Sequence, residues 1–183
     1  MTLYIILAVA VVVILWLVAA FNGLVRGRNR VKEAWSDINI QLRRRHDLIP
    51  NLVETVKAYA AHESGVLEAV TKARTQAVAA GTMAQKGVAE NALTGALGKL
   101  FAVAEAYPTL KANENFAKFQ DEITDTEDKI QAARRFYNTN VMYYNTKLQV
   151  FPTNMIASSF GFQKEELFQL DSPEEAKLPE VKF

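Results

Sequence analysis

The chain begins with MTLYIILAVAVVVILWLVAAF, residues 1–21, a stretch that contains no charged side chain. As a helix, the run from Thr2 to Phe21 rises about 30 Å, which is the thickness of a bilayer's hydrocarbon core. A helix satisfies all its own backbone hydrogen bonds, as a bilayer requires. Trp16 lies near one end of the run and Tyr4 near the other, where aromatic side chains favour the membrane interface. The stretch therefore predicts an uncleaved transmembrane anchor.

A cleaved secretory signal is the alternative interpretation of the same stretch. Val18, Ala19 and Ala20 resemble a small-residue cleavage site. However, no Lys or Arg precedes the apolar run. The run also exceeds the roughly 7–15 residues of a usual signal core. Both criteria favour an anchor that is retained.

Basic side chains follow the apolar run, and they predict its orientation. They are Arg26, Arg28, Arg30 and Lys32, and residues 22–32 contain no acid. Positive charge is retained on the cytoplasmic side, so we expect a single-pass protein of the cell (inner) membrane. Its N-terminus should face outward and residues 22–183 should be cytoplasmic. The four cations are also candidate membrane-interface residues that could contact the lipid bilayer. Of the two roles, we favour setting the topology over recognition of a specific lipid.

The composition limits the classes of function. The net charge is +1, which argues against broad nucleic-acid binding, so we predict no nucleic-acid partner. The chain has no cysteine, which excludes disulfides, thiolate zinc sites and thiol nucleophiles. The residues beyond the anchor suffice for one domain with a sizeable core.

Two long seams of mostly apolar residues follow the anchor, with alternate steps of three and four residues apart from one extra residue between Tyr137 and Val141. This spacing is typical of helices that pack against one another, and it predicts an all-α protein. The first seam consists of Val31, Trp35, Ile38, Leu42, Arg45, Ile49, Leu52, Val56, Tyr59 and Glu63. The second consists of Phe116, Phe119, Ile123, Thr126, Ile130, Ala133, Tyr137, Val141, Tyr144 and Leu148.

Prolines and glycines mark where the helices change. Pro50 lies inside the first seam, where it predicts a kink or a break between two helices. Ala80-Gly81-Thr82 is the strongest interior turn signal, and Pro108 suits the first turn of another helix. The predicted segments are an anchor at 1–21, a basic juxtamembrane segment at 22–30, a helical bundle at 31–151 and an irregular, partly docked strap at 152–183.

No set of residues in the sequence predicts an enzyme. His62-Glu63 begins like a zinc-peptidase motif, but Val66 occupies the position of the second histidine ligand. His46 and His62 lie on opposite sides of Pro50 and have no cysteine to join them. The serines lie in no nucleophile-elbow motif, and the glycines form no phosphate loop. We therefore predict no catalytic residue, metal ligand or cofactor.

Two charged clusters remain, the basic run Arg43–Arg45 and the acidic run DEITDTED at 121–128. Arg45 falls on the apolar seam, and a charge near a core needs a partner. We therefore expect the arginines to pair with residues 121–128, with Arg45 the most buried. Ordinary salt bridges between helices are favoured over a dedicated functional site.

The sequence resembles the LemA family. The resemblance rests on FNGLVRGRNRVKEAWSDINIQLRRRHDLIPNLVETVKAYAAHESGVLEAVTKAR at 21–74 and YPTLKANENFAKFQDEITDTEDKIQAARRFYNTNVMYYN at 107–145, with FP at 151–152 and GF at 161–162. It implies a single-pass membrane protein with a cytoplasmic bundle of long, mostly antiparallel helices, like a four-helix bundle. It implies no catalytic site. The family's recurrent polar positions correspond to Asn29, Trp35, Arg44, Asp47, Pro50, Asn51 and Tyr59.

These observations lead to one functional hypothesis and an alternative from another class. Arg43, Arg44, Arg45, Asp47, Pro50 and Asn51 form a candidate structural or interaction cluster, which we interpret first as a device that fixes a kink. The hypothesis is a non-enzymatic, membrane-anchored scaffold that binds an unidentified membrane or cytoplasmic protein. The heptad spacing of the seams suits association of helices within or between chains, as in a coiled coil. The alternative is a self-associating homo-oligomer that organises or remodels the membrane, using its basic juxtamembrane segment.

Overall fold

The computed structural model describes residues 1–169, and they contain helices without a strand. The helices are α1 (Thr2–Lys57), α2 (Ser64–Ala79), α3 (Met83–Glu105), α4 (Pro108–Lys111), α5 (Glu114–Gln149) and α6 (Thr153–Ser159). The prediction of an all-α fold is confirmed. Residues 170–183, which form the end of the predicted strap, lie outside the described residues.

Helix α1 contains the apolar run and continues well beyond it. By length and composition it is the one helix of the described residues that suits a membrane span. Residues 1–19 are exposed, as expected for a segment whose natural surroundings are lipid. The prediction of a helix break at Pro50 is wrong, because α1 continues through this residue to Lys57. Tertiary contacts therefore outweigh the backbone hydrogen bond that proline removes.

The chain divides into two compact units. Unit 1 consists of Met1–Ile38 and Ala133–Leu167, and unit 2 consists of Asn39–Ala132 and the chain from Phe168. Helices α1 and α5 contribute residues to both units.

Five helices, α1 to α5, contribute to the core of unit 2. Its buried apolar residues include Ile49, Leu52, Val56, Val70, Leu93, Leu100, Leu110, Phe116 and Ile123. The predicted turn is present, because α2 ends at Ala79 and α3 begins at Met83. Thr82 caps α3 by accepting the amide hydrogen of Gln85 and donating its own to the Gln85 side chain. Pro108 begins α4, as predicted.

The strap docks on unit 2 through a close backbone approach. Phe168 is fully buried. A Cβ atom at Gly87 would lie only 2.3 Å from the carbonyl oxygen of Gln169. Glycine is therefore required on this face of α3, since any side chain would displace the strap.

Side chains of α5 hold another part of the strap within unit 1. The Tyr137 hydroxyl donates to the carbonyl oxygen of Glu166 at 2.8 Å. The Asn145 amide donates to the carbonyl of Glu165 at 2.9 Å and accepts the Glu165 amide hydrogen at 3.0 Å. Residues 162–169 are irregular and docked, as predicted, whereas the preceding segment forms the helix α6.

Candidate functional site

A buried ion pair lies at the centre of unit 2. The Arg45 and Glu90 side chains are each 1% exposed and bind each other through an Arg45 Nη atom. The other Nη atom of Arg45 binds the Glu127 carboxylate and donates to Thr94 Oγ1 at 3.1 Å. Arg45 is thus the most buried of the three arginines and pairs with the acidic run, as predicted, whereas Arg43 forms no ion pair with that run within residues 1–169.

Glu90 is also bound by a histidine. Its second carboxylate oxygen lies 2.8 Å from Nε2 of His46, which is itself buried. Burial raises the pKa of the Glu90 carboxyl, but His46 and Arg45 together outweigh this effect and hold the pKa below its ordinary value. Glu90 is therefore ionised at neutral pH and is no general acid. The pair serves to neutralise a buried charge and to join α1 with α3.

The carbonyl oxygen of His46 receives a side-chain donor. Pro50, four residues later, has no amide hydrogen with which to complete the helical bond. Arg74 of α2 donates its Nε hydrogen to this oxygen at 2.6 Å. Pro50 thus leaves this carbonyl oxygen without its helical donor, and Arg74 of α2 supplies another.

Arg44 forms the exposed counterpart of the buried pair. Its guanidinium lies 3.6 Å from Asp125 and 4.0 Å from Glu122, and all three side chains are nearly half exposed. This contact confirms that the basic run of α1 meets the acidic run of α5. Such exposed pairs contribute little stability, typically about 0–1 kcal/mol.

An open cleft of about 590 Å³ adjoins the buried pair in unit 2. Its wall carries cations from three helices, namely Arg43 of α1, Arg74 of α2 and Lys86 of α3. Lys86 donates to the Asn39 side chain at 2.9 Å. The complete lining is Asn39, Leu42, Arg43, His46, Asp47, Arg74, Ala77, Val78, Lys86 and Glu90. We call this feature the cationic cleft.

The four candidate membrane-interface cations of unit 1 occupy different surroundings. Arg26 and Arg30 line a cleft of about 380 Å³ together with Lys147. The Arg28 guanidinium lies 5.4 Å from the centre of the Phe162 ring, which is a cation–π contact. Lys32 is exposed.

The remaining predicted cluster residues lie at the surface of unit 2. Asp47, Pro50 and Asn51 are exposed, and of these Asp47 lines the cationic cleft. Sequence reasoning missed Glu90 and Arg74. Glu90 had a readable signal, because it precedes Leu93 and Leu97 by three and seven residues and so interrupts the apolar stripe of α3.

The geometry brings together charges and hydrogen bonds but no reactive set. Within residues 1–169, no group of three His, Cys, Asp or Glu side chains is placed to hold a metal ion. His46 binds Glu90, and no hydroxyl contacts its ring in this part of the chain. The residues that are brought together are a buried carboxylate, its two cationic or imidazole partners and an adjoining open cleft.

A family model described as "LemA family" matches residues 34–183. The chain belongs to the LemA family. The match includes the cationic cleft, the buried pair and the strap. The resemblance of the sequence to this family is thereby confirmed.

The curated relatives of this LemA-family chain carry two names. The chain is 27% identical over 179 residues to "Magnetosome protein MamQ 1" and to "Magnetosome protein MamQ 2" of Paramagnetospirillum magneticum, which covers 84% of this chain and 66% of each relative. It is 28% identical over 152 residues to "Protein LemA" of Metamycoplasma hominis, which covers 81% of this chain and 68% of that protein. The match thus spans just under two thirds of each MamQ protein.

Proposed function

We propose that this LemA-family chain is a non-enzymatic, membrane-anchored helical scaffold whose cationic cleft binds an acidic segment of another protein. The apolar start of α1 serves as the anchor, and the chain from residue 22 onward lies in the cytoplasm. The family membership and the apolar helix support a membrane-associated helical protein. The cleft supports the recognition role.

One observation carries the recognition role. Arg43, Arg74 and Lys86 reach one cleft from three different helices. Of the two acids in the wall, Glu90 is already bound by Arg45, so Arg43 and Arg74 outnumber the remaining acid, Asp47. A surface with this excess of positive charge attracts acidic segments and disfavours basic ones, which gives selectivity and faster encounter.

The anchor and its orientation are tested by labelling in intact cells. The chain has no cysteine, so Ser36→Cys, at an exposed position of α1, supplies a single thiol. We expect a membrane-impermeant maleimide to label it only after the inner membrane is permeabilised, and alkaline carbonate to leave the chain in the membrane fraction. Labelling in intact spheroplasts contradicts the orientation, and extraction by carbonate contradicts the anchor.

Site-specific photocrosslinking in native membranes tests the recognition role. A crosslinker at Val78 lies in the wall of the cationic cleft and is exposed. The matched control is Val88, an exposed valine of the same unit that does not line this cleft. We expect adducts at Val78 that disappear with Arg43→Glu, whereas adducts at Val88 stay unchanged. Adducts at Val78 that ignore Arg43→Glu contradict the proposal.

The burial of the seams favours this function over self-association. Ile38 and Tyr137 are buried within unit 1, and Ile49, Leu52 and Ile123 within unit 2, so the heptad residues are largely used inside the chain. Light scattering of the full-length protein in nanodiscs distinguishes the two functions. A monomer or dimer supports the scaffold, whereas a large ring or lattice supports membrane organisation by a homo-oligomer.

A further inference from the structure

Unit 1 carries a group of exposed apolar side chains where α5 turns into α6. Phe151 is 78% exposed, Phe160 is 65% exposed, Met155 is 61% exposed and Val150 is 47% exposed. The turn is compact, since the Asn154 amide donates to the carbonyl of Val150 at 2.9 Å. We call Val150, Phe151, Met155 and Phe160 the apolar corner. Exposed apolar side chains that are grouped, unlike single ones, mark surfaces that bind a protein or a membrane.

The apolar corner meets the end of the anchor through Phe160. The Phe160 ring contacts the Phe21 ring edge to face, with centres 5.0 Å apart. Ile156 and Ala157 of α6 are buried together with Leu24 of α1. Residues 1–19 are exposed, and Ala20 is the first residue of α1 that the rest of unit 1 partly covers.

The length of the anchor fixes the depth of this contact. The run from Thr2 to Phe21 spans about 30 Å as a helix, so Phe21 lies at the boundary between hydrocarbon and headgroups. Phe160 touches Phe21 and therefore lies at the same depth. Aromatic side chains favour this layer of the bilayer.

Beyond Phe21, on the side of unit 1 that faces away from the anchor, the side chains include several cations. Arg26 and Arg30 line one cleft with Lys147, whose ammonium lies 4.6 Å from the centre of the Tyr143 ring. The helical rise places Arg26 about 7 Å beyond Phe21. This order matches the layers of a bilayer. The apolar side chains suit the hydrocarbon, and the cations suit the lipid phosphates outside it.

We propose that the apolar corner inserts into the interfacial layer of the lipid bilayer and forms a second membrane contact of unit 1 beside the anchor. The inference rests on the proposed anchoring of α1. Two contacts at one depth, one from Phe21 of α1 and one from Phe160 of the apolar corner, fix the tilt of unit 1 against the membrane. A free-standing anchor would leave this tilt variable.

Tryptophan quenching in the full-length protein tests the insertion. With Trp16 and Trp35 changed to phenylalanine, one tryptophan is introduced by Phe151→Trp, and by Met155→Trp in a second chain. The proteins are reconstituted in phosphatidylcholine vesicles whose acyl chains carry bromine near the headgroup. We expect strong quenching for both chains. The matched control is Phe136→Trp, because Phe136 is 55% exposed on the same helix but lies about 20 Å before the corner.

A chain that keeps Trp16 as its only tryptophan reports on the anchor itself. Unquenched Trp16 overturns the anchoring, and the inference with it. If Trp16 is quenched but the F151W and M155W chains are not, the second membrane contact is rejected while the anchor stands. Equal quenching of the F136W chain also overturns it, since the contact would then not be confined to the corner. Concentration-dependent crosslinks between copies at Phe151, without quenching, show that a second copy covers the corner and also overturn it.

Discussion

Arg74 of α2 donates its Nε hydrogen to the carbonyl oxygen of His46 in α1 at 2.6 Å. Pro50 and Arg74 act together in this contact. Pro50 leaves the oxygen free within an otherwise continuous helix, and Arg74 occupies the vacant bonding direction. The carbonyl that lacks its helical donor thereby connects α1 with α2 in unit 2.

Arg74→Ala should destabilise unit 2, because the His46 carbonyl is left without a donor. The cost of such an orphaned group is about 1–3 kcal/mol in the free energy of unfolding. Chemical denaturation of the full chain in detergent measures it. Lys72→Ala, which removes an exposed cation from the same helix, is the matched control and should change little.

Pro50→Ala should partly rescue Arg74→Ala, because the introduced alanine supplies the missing amide hydrogen. The double-mutant cycle should then show a coupling between the two positions, since residues in one hydrogen-bond network do not act additively. Strictly additive losses contradict the proposed connection.

Glu90→Ala should be among the most damaging single substitutions in unit 2. It leaves the buried Arg45 guanidinium without its buried partner, and breaking such a pair typically costs about 3–5 kcal/mol. Arg44→Ala, which removes the neighbouring exposed cation, should cost about 0–1 kcal/mol in the same denaturation experiment. Similar losses in the free energy of unfolding for the two variants would falsify the claim that the buried pair matters more than the exposed one.

The stability of unit 2 should fall in acid because of Glu90. The pKa of this carboxyl is lowered in the folded chain from an ordinary value of 4.5, so the unfolded chain takes up the proton first. The stabilisation is present above that value and is lost as the pH falls through the folded-state pKa. Melting temperatures followed from neutral pH into acid should decline less for Glu90→Gln than for the natural chain. Parallel declines are the opposing result.

Tyr137 should titrate at unusually high pH. Burial, followed by the charges of Glu165 and Glu166, raises its pKa from 10.0 to about 12. The stabilisation linked to the neutral hydroxyl is therefore present below pH 10 and lost as the pH rises towards 12. A spectroscopic titration of the natural chain minus that of Tyr137→Phe should isolate this step. A difference curve with an ordinary tyrosine midpoint contradicts the docked strap.

Apolar spacing in the sequence was enough to predict the helices and the burial of Arg45. Arg45 lies on a seam of period three and four, so its position on the helix circumference follows from counting. Counting does not say which helix faces it, and the buried partner proved to be Glu90 of α3, with Glu127 of the acidic run at the edge. The same rule applied to α3 would have marked Glu90, which interrupts an apolar stripe.

Other features depend on tertiary contacts that periodicity does not encode. Trp35 lies on the first seam, yet it is only half-buried, and its ring packs against Tyr137 with centres 5.5 Å apart. The seam gives the direction of a side chain but not how far the neighbouring helix covers it. Arg74 gave no signal, because its partner is a backbone carbonyl, which no side-chain pattern reveals.

The binding of a defined acidic probe to the cationic cleft tests the proposed function most directly. A fluorescent glutamate-rich peptide is titrated into the full-length protein in nanodiscs of neutral phosphatidylcholine, with a lysine-rich peptide of equal length for comparison. We expect the acidic peptide alone to bind, and Arg43→Glu to weaken its binding about tenfold, while Arg135→Glu, the same charge change at an exposed position of unit 1, has little effect. Equal weakening by both variants, or equal binding of both peptides, contradicts recognition by the cleft.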